Sequence, residues 1–296
     1  AARISAMQAV ASSHARQALA TRLAGIAEED HFHYSAQQQH WHAPRTLDTL
    51  LTLRKDMPDA TLIAGSTDIG LWITKQFRAL GDFISVANVD VLHQHGRTED
   101  EIQIGAAVSV EQAYRSCLDE YPELAELADR FASLPVRNAG TLGGNIANGS
   151  PIGDSMPWLI ALGARIELAS INGTRQIPLE AFYTGYRQKD LRPEEVVTRI
   201  LIPLRAKDRL FRVWKISKRI DQDISAVCIA LSATLADGHL HDVRIGAGGV
   251  AAIPARARQT EAVIEGKLWD QTTLDQACTA ITAEFSPISD MRASAA

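Results

Sequence analysis

The stretch RNAGTLGGNIANGSPIGD, Arg137 to Asp154, holds five glycines and three asparagines in eighteen residues, and its only large apolar side chains are Leu142, Ile146 and Ile152. An ordered glycine marks either a positive φ or a place where another group must come close to the backbone. Composition alone leaves two readings open, a long surface loop or a segment shaped to receive a ligand. A second stretch of the same character, IAGSTDIG at Ile63 to Gly70, follows an apolar run that reads as a strand. Successive backbone N–H groups in such turns make concavities suited to phosphate. Neither stretch contains G-x-G-x-x-G or G-x-x-x-x-G-K-[ST], so a Rossmann site and a P-loop are both unsupported. Two such turns favour a nucleotide held by some other fold.

Outward from these turns the pattern mixes helix and strand. Upstream, TLDTLLTLRKD and SVEQAYRSCL read as helices, the second capped by Ser109 with Gln112. PELAELADRFASL gives a helix with proline in its first turn. Between them lie strands at TLIAG, DFISVAN and EIQIGAAV, with a further helix across DIGLWITKQ. Downstream, MPWLIALGA reads as a buried helix, and ARIELAS and TRQIPL form a hairpin about Asn172-Gly173. From EVVTRILIPL onward the strands lengthen through FRVWKISK, ISAVCIALSATL and HLHDVRIGAGGV, and ARARQTEAVIEG and QTTLDQACTAITAEF close the chain as helices. At the other end Ile4 to Ile26 shows helical spacing, and the polar segment Glu28 to Pro44 reads as a linker.

With 296 residues, 46% hydrophobic content and a formal charge of −5, the chain is an ordinary globular protein without a basic field, so neither nucleic acid nor an anionic membrane is an expected partner. Cys117, Cys228 and Cys278 lie far apart with no C-x-x-C spacing, which argues against disulfides, zinc or an iron–sulfur cluster held by this chain alone and fits a reduced, cytoplasmic setting. His31, His33, His40 and His42 form two H-x-H pairs, but no carboxylate or cysteine completes a metal set, and no metal site is expected. No Ser-His-Asp arrangement or partnered cysteine nucleophile is visible.

Four blocks in order, LIAGSTDIGLWITK, FASLPVRNAGTLGGNIANGSPIGDSMPWLIALGA, FRVWKISKRIDQDIS, and GAGGVAAIPARA with SPISDMRASAA, resemble the FAD-binding portion of the molybdenum-containing hydroxylases, most nearly the small-subunit type of the bacterial xanthine dehydrogenases. The resemblance runs from about residue 40 to the C-terminus. It implies an α+β fold: a two-subdomain FAD-binding domain of the PCMH (vanillyl-alcohol-oxidase-like) type at residues 41–206, then a small antiparallel sheet with helices at 207–296. It further implies that Leu62, Ile63, Ala64, Gly65, Ser66, Thr67, Asp68 and Ile69 wrap the FAD pyrophosphate with backbone amides. Thr141, Gly143, Gly144 and Asn145 match a second loop against the cofactor, where glycines let the backbone approach. Asp154 matches an acidic position that binds hydroxyls or adenine-side atoms; a helix N-cap is the other reading, and the two are not exclusive. Phe131 matches an aromatic residue against the flavin, or is a core residue of its helix. Lys215 matches a lysine near the flavin, or faces solvent on its strand. Val197 matches an apolar contact.

The function so implied is electron transfer from [2Fe–2S] centres through FAD to NAD⁺, with the flavin carrying the chemistry and no catalytic side chain on the protein. In such enzymes the [2Fe–2S] centres and molybdopterin sit on other domains or on a large molybdenum-binding subunit, which implies a hetero-oligomer. None of the eight cluster cysteines of that family is present here, so residues 1–40 are expected to be the helix and linker left from an iron–sulfur region, and the chain to be a fragment at both ends. The alternatives are a flavin subunit for aldehyde, carbon monoxide or aromatic acyl-CoA oxidation, and a non-catalytic nucleotide-binding module. The STDIG sequence favours the xanthine type over the G-G-x-S-L pattern of the carbon monoxide enzymes.

Overall fold

The computed structural model describes residues 14–23 and 31–295. Residues 14–23 are helical, as the spacing predicts; the remainder of the helix expected from Ile4 to Ile26 lies outside the described residues.

The polar segment read as a linker is a β-hairpin over residues 31–44. Its strands His31–Ala36 and Gln39–Pro44 pair antiparallel, with His33 opposite His42. The connection is a two-residue turn with Gln37 at φ 48° and Gln38 at φ 68°. This is the doubly left-handed geometry that matches strand twist, made here without the glycine or asparagine that would announce it. A boundary at residue 40 would cut this hairpin. Gln39–Pro44 then joins the strands Phe83–Ser85 and Thr61–Ile63 through parallel pairs, completing a four-stranded sheet. Trp41 packs on Phe83 with ring centroids 5.7 Å apart, and the Asp82 carboxylate accepts from the His40 N–H at 2.8 Å.

The helix Leu47–Asp56 starts where Thr46 accepts from the Thr49 N–H, and it buries Leu50 and Leu51. Those leucines share a core with Ile84, Val89, Leu92 and Val196. Val196 belongs to the central strand, Val196–Pro203, of a five-stranded antiparallel sheet ordered His95–Arg97, Glu101–Gly105, Val196–Pro203, Arg165–Ser170, Gly173–Pro178. The predicted hairpin is present, but with Ser170 paired to Gly173 its two-residue turn is Ile171-Asn172, one position before the expected Asn172-Gly173.

The glycine-rich stretch is not an open loop. Thr141 caps a helix, Leu142–Asn148, which stops at Gly149 in the left-handed conformation. Leu142 and Ile146 anchor it in the main core. Upstream, Pro122–Leu124 forms a 3₁₀ turn before the helix Ala125–Arg130, so Phe131 stands just beyond a helix end and not within the helix.

Between Pro203 and Arg209 the chain passes into a second antiparallel sheet, ordered Arg209–Ile216, Val227–Ala236, His239–Gly248, Ala255–Arg256. The helix Ser155–Ala161 is buried all round, as a helix between two layers must be. Its Trp158 shares one core with Ile166 and Ile200 of the five-stranded sheet and with Phe211, Cys228 and Ala230 of the C-terminal sheet. The helices Arg258–Ile264 and Gln271–Glu284 cover the other face of the C-terminal sheet. The fold is α+β with several small sheets, and no Rossmann arrangement occurs among the described residues.

Candidate functional site

The C-terminal end of the strand Thr61–Ile63 opens onto a cavity of about 530 Å³. All of the residues from Leu62 to Ile69 line it, with Phe131, Thr141, Gly143, Gly144, Asn145 and Val197. Segments more than 130 positions apart in the sequence therefore meet around one space.

The two glycine turns contribute differently. In the first, Ser66 takes φ 62°, a left-handed conformation that is costly for a side-chain-bearing residue. Among the described residues no acceptor is found for the N–H groups of Gly65, Ser66, Thr67 and Asp68. Four consecutive unpaired donors at a cavity wall suit an anion with several oxygens. In the second turn the donors are already used: Leu142 N–H binds Val108 O at 3.0 Å, Gly143 N–H binds Ala106 O at 3.1 Å, and Gly144 N–H binds Thr141 Oγ1 at 3.0 Å. Its glycines answer to packing. A Cβ on Gly143 would sit 2.5 Å from the Ala106 carbonyl oxygen, and one on Gly65 would sit 1.7 Å from that of Ala139. Chain against chain, and not only cofactor against chain, excludes side chains here.

Other polar groups complete the lining. Asn148 Nδ2 donates to Asp68 Oδ2 at 3.1 Å, tying the two turns together, and burial raises the Asp68 pKa above the usual carboxylate range. Asn145 Oδ1 is sealed from solvent without a donor. Phe131 is held in place by Arg137, whose Nη1 donates to the carbonyls of Phe131 and Ala132 at 3.0 Å while Nε donates to Glu111 at 2.6 Å. The bond from Arg137 lowers the Glu111 pKa and keeps the pair charged. Arg137 escaped the sequence reading although it opens the glycine-rich stretch; an arginine at the foot of a loop was the available signal. Arg54, Trp72 and Lys189 line the cavity, which Arg137 does not, and were also missed.

Asp154 and Lys215 do not line the cavity. They hold each other: Lys215 Nζ donates to Asp154 Oδ2 at 2.5 Å and to Ser225 Oγ at 2.9 Å, and the Ser225 hydroxyl donates to Asp154 Oδ1. Lys215 is only 8% exposed and Asp154 6%, so the solvent-facing reading of the lysine fails. Asp154 stands at the N-cap of Ser155–Ala161, yet its side chain makes no capping bond because it turns to the lysine instead. The pair joins the first unit to the first strand of the second. Nearby, burial pushes the Cys228 thiol well up, and the Cys117 thiol up to about 12, which leaves both inert as nucleophiles.

Among the described residues no three His, Cys, Asp or Glu side chains are arranged to hold a metal ion. The four hairpin histidines stack instead, His33 on His42 at 4.5 Å between centroids. Among the described residues no helix is long and apolar enough to cross a membrane.

Comparison with known proteins agrees with this geometry. The chain is 30% identical over 266 residues to the xanthine dehydrogenase/oxidase of Gallus gallus, an alignment covering 85% of this chain and 20% of that protein. It is 29% identical over 277 residues to the nicotinate hydroxylase of Emericella nidulans, covering 86% and 20%. The chain thus spans about a fifth of the length of these relatives. Among solved structures, a chain of the carbon monoxide dehydrogenase of Hydrogenophaga pseudoflava superposes with a TM-score of 0.81 at 28% identity, covering 86% of this chain and 90% of that one. A chain of quinoline 2-oxidoreductase from Pseudomonas putida 86 superposes with a TM-score of 0.75 at 27% identity, covering 87% and 90%. Residues 212–296 match the family described as the CO dehydrogenase flavoprotein C-terminal domain. With residues 33–205 matching the FAD binding domain in molybdopterin dehydrogenase, the chain belongs to the FAD-binding domain family of the molybdenum hydroxylases.

Proposed function

We propose that this chain is the flavin-bearing, electron-transferring part of a xanthine dehydrogenase-type enzyme and that it delivers electrons to NAD⁺. The observation that carries the reading is the row of unpaired amides from Gly65 to Asp68 in the same cavity as the Phe131 ring. Diphosphate chemistry and aromatic-ring chemistry are thereby brought to one ligand. Bound FAD supplies the redox chemistry, accepting electrons singly and releasing them as a hydride.

The chain's own residues bind and orient. The free amides face the diphosphate. The buried Asn145 Oδ1 offers an acceptor to an N–H or O–H of the cofactor. Leu62, Ile63, Val86, Val196 and Val197 give apolar walls that exclude water. Asp154, Lys215 and Ser225 act as a buried latch that fixes the C-terminal unit against the cofactor-binding one. Partners of the complete enzyme would be [2Fe–2S] domains and a molybdenum-binding large subunit in a hetero-oligomer in the cytoplasm. Xanthine and NAD⁺ rest on the xanthine dehydrogenases among the relatives and on the STDIG turn. The superposition on a carbon monoxide dehydrogenase chain favours a second reading, a flavin subunit for another molybdenum hydroxylase.

Anaerobic addition of NADH to the FAD-loaded chain separates these readings. Bleaching of the flavin band supports NAD(H) as the redox partner. A chain that binds FAD but is not bleached by NADH contradicts the NAD⁺ assignment, and one that binds ADP as well as FAD with no redox activity would be a nucleotide-binding module.

A further inference from the structure

The cavity carries a charge imbalance. Its charged lining residues are the cations Arg54 and Lys189 and the single carboxylate of Asp68. Arg54 comes from the last turn of Leu47–Asp56, and Lys189 from the short strand Gln188–Lys189. Among the described residues each makes one hydrogen bond, to a neutral acceptor: Arg54 Nη1 to the Ala60 carbonyl at 2.9 Å, and Lys189 Nζ to the Ala147 carbonyl. Neither forms an ion pair. The Arg54 Nε is sealed from solvent with no partner. Burial drives both pKa values below their ordinary values, for Arg54 against the weaker opposing pull of Asp59, the direction expected for cations whose withdrawal from water outweighs their compensation. Arg137, Arg205, Arg244 and Arg256, also partly withdrawn, each hold a carboxylate, whereas Arg209, its pKa likewise lowered by burial, donates to the Ser232 hydroxyl. Two cations in one cavity with no carboxylate in contact weaken the ligand-free fold and become favourable when an anion enters.

We propose that Arg54 and Lys189 are the counter-charges for the diphosphate of the nucleotide ligand, acting beside the free amides of Gly65 to Asp68, and that they select FAD over an uncharged flavin. The proposal rests on the FAD reading above and adds two residues and a selectivity to it. Amides supply direction to the phosphate oxygens, and the two cations supply the net charge that backbone dipoles lack. The asymmetry with the second turn, whose amides are already bonded, explains why side-chain cations are needed on that side: Lys189 reaches over the carbonyl of Ala147, within the helix Leu142–Asn148 of that turn.

The test is calorimetric titration of the whole chain and its Arg54→Met and Lys189→Met variants with FAD and with riboflavin, plus the thermal midpoint of each ligand-free protein. Loss of a charge-assisted contact weakens FAD by roughly ten- to a hundredfold in each variant. Riboflavin affinity stays unchanged, the salt dependence of FAD binding becomes shallower, and the ligand-free midpoint does not fall. Lys189→Arg restores FAD affinity. Unchanged FAD affinity in both variants overturns the proposal, as does a parallel loss of FAD and riboflavin, which would mark general damage to the cavity. A wild-type chain that takes up no FAD would sink the flavin reading instead; titration with inorganic pyrophosphate then decides, with binding lost in both variants upholding the two cations and no binding overturning them.

Discussion

At the scale of single residues the site depends on what cannot be added to it. Gly65 lies so close to the Ala139 carbonyl that even a methyl group must push the two cofactor turns apart, whereas a Cβ on Gly70 would meet nothing nearer than Ser66 Oγ at 3.8 Å. Gly65→Ala is expected to destabilise the protein by about 1–3 kcal/mol, the usual cost of overpacking. Gly70→Ala, inside the helix Ile69–Thr74, is expected to be neutral or to stabilise by up to about 1 kcal/mol, because alanine is the better helix former. Chemical denaturation of the two variants reads both values, and equal effects would show that loop packing is not what Gly65 serves. The sequence made these glycines conspicuous but showed only one of the reasons for them. A close approach of some group was legible in their composition; the backbone of a distant turn pressed against Gly65 was not, because such contacts depend on how separate segments cross.

At the scale of elements, two contacts determine how the site is held. The Asp154–Lys215 pair joins the buried helix Ser155–Ala161 to the strand Arg209–Ile216, and removing one partner leaves the other charged and buried. Asp154→Ala or Lys215→Met alone should cost about 3–5 kcal/mol, and the double variant markedly less than the sum. A double-mutant cycle in urea measures this, and simple additivity would show that the two groups do not interact. The histidine hairpin makes a pH-dependent contribution. His42 Nδ1 and His31 Nε2 lie 3.0 Å apart, a contact that requires one ring to donate and the other to accept. The His42 pKa is lowered by burial and then by His33, His31 and His40, against the opposing pull of Asp82. A histidine depressed in the folded state is protonated more readily when unfolded, so its contribution is intact above about pH 6.5 and declines as pH falls from there through the lowered value. His42→Gln should flatten the fall in thermal midpoint between about pH 7 and pH 5. An unchanged pH profile would remove the stack as its source. None of this was visible while the segment read as a linker, although Phe32, Tyr34 and Trp41 alternate with the histidines at a strand's period; the glutamine run Gln37 to Gln39 gives no sign of the turn between them.

At the scale of the whole molecule, the α+β class and most elements were legible, because apolar periodicity within each segment reports its own secondary structure. The Ser109 cap stands where residue type alone puts it, and the hairpin turn falls within one position of the expected Asn172-Gly173. What segments do to one another was less legible. The shared core of Trp158, Ile200 and Phe211, the pairing of Asp154 with Lys215, and the unpaired charges of Arg54 and Lys189 arise only once the layers are stacked. Both sheets feed one core, so ligand entry should stabilise the protein as a whole: at a hundredfold excess of ligand over Kd the gain is about 2.7 kcal/mol. The central claim is that FAD occupies the cavity between the two glycine turns, and it is tested most directly by titrating the purified chain with FAD while following flavin fluorescence, in the wild type and in Ala147→Phe, whose ring would project into the cavity from the helix Leu142–Asn148. The account predicts saturable one-to-one binding by the wild type, with a raised thermal midpoint, and loss of both in a variant that keeps its native circular dichroism; equal FAD affinity in the two proteins would contradict it.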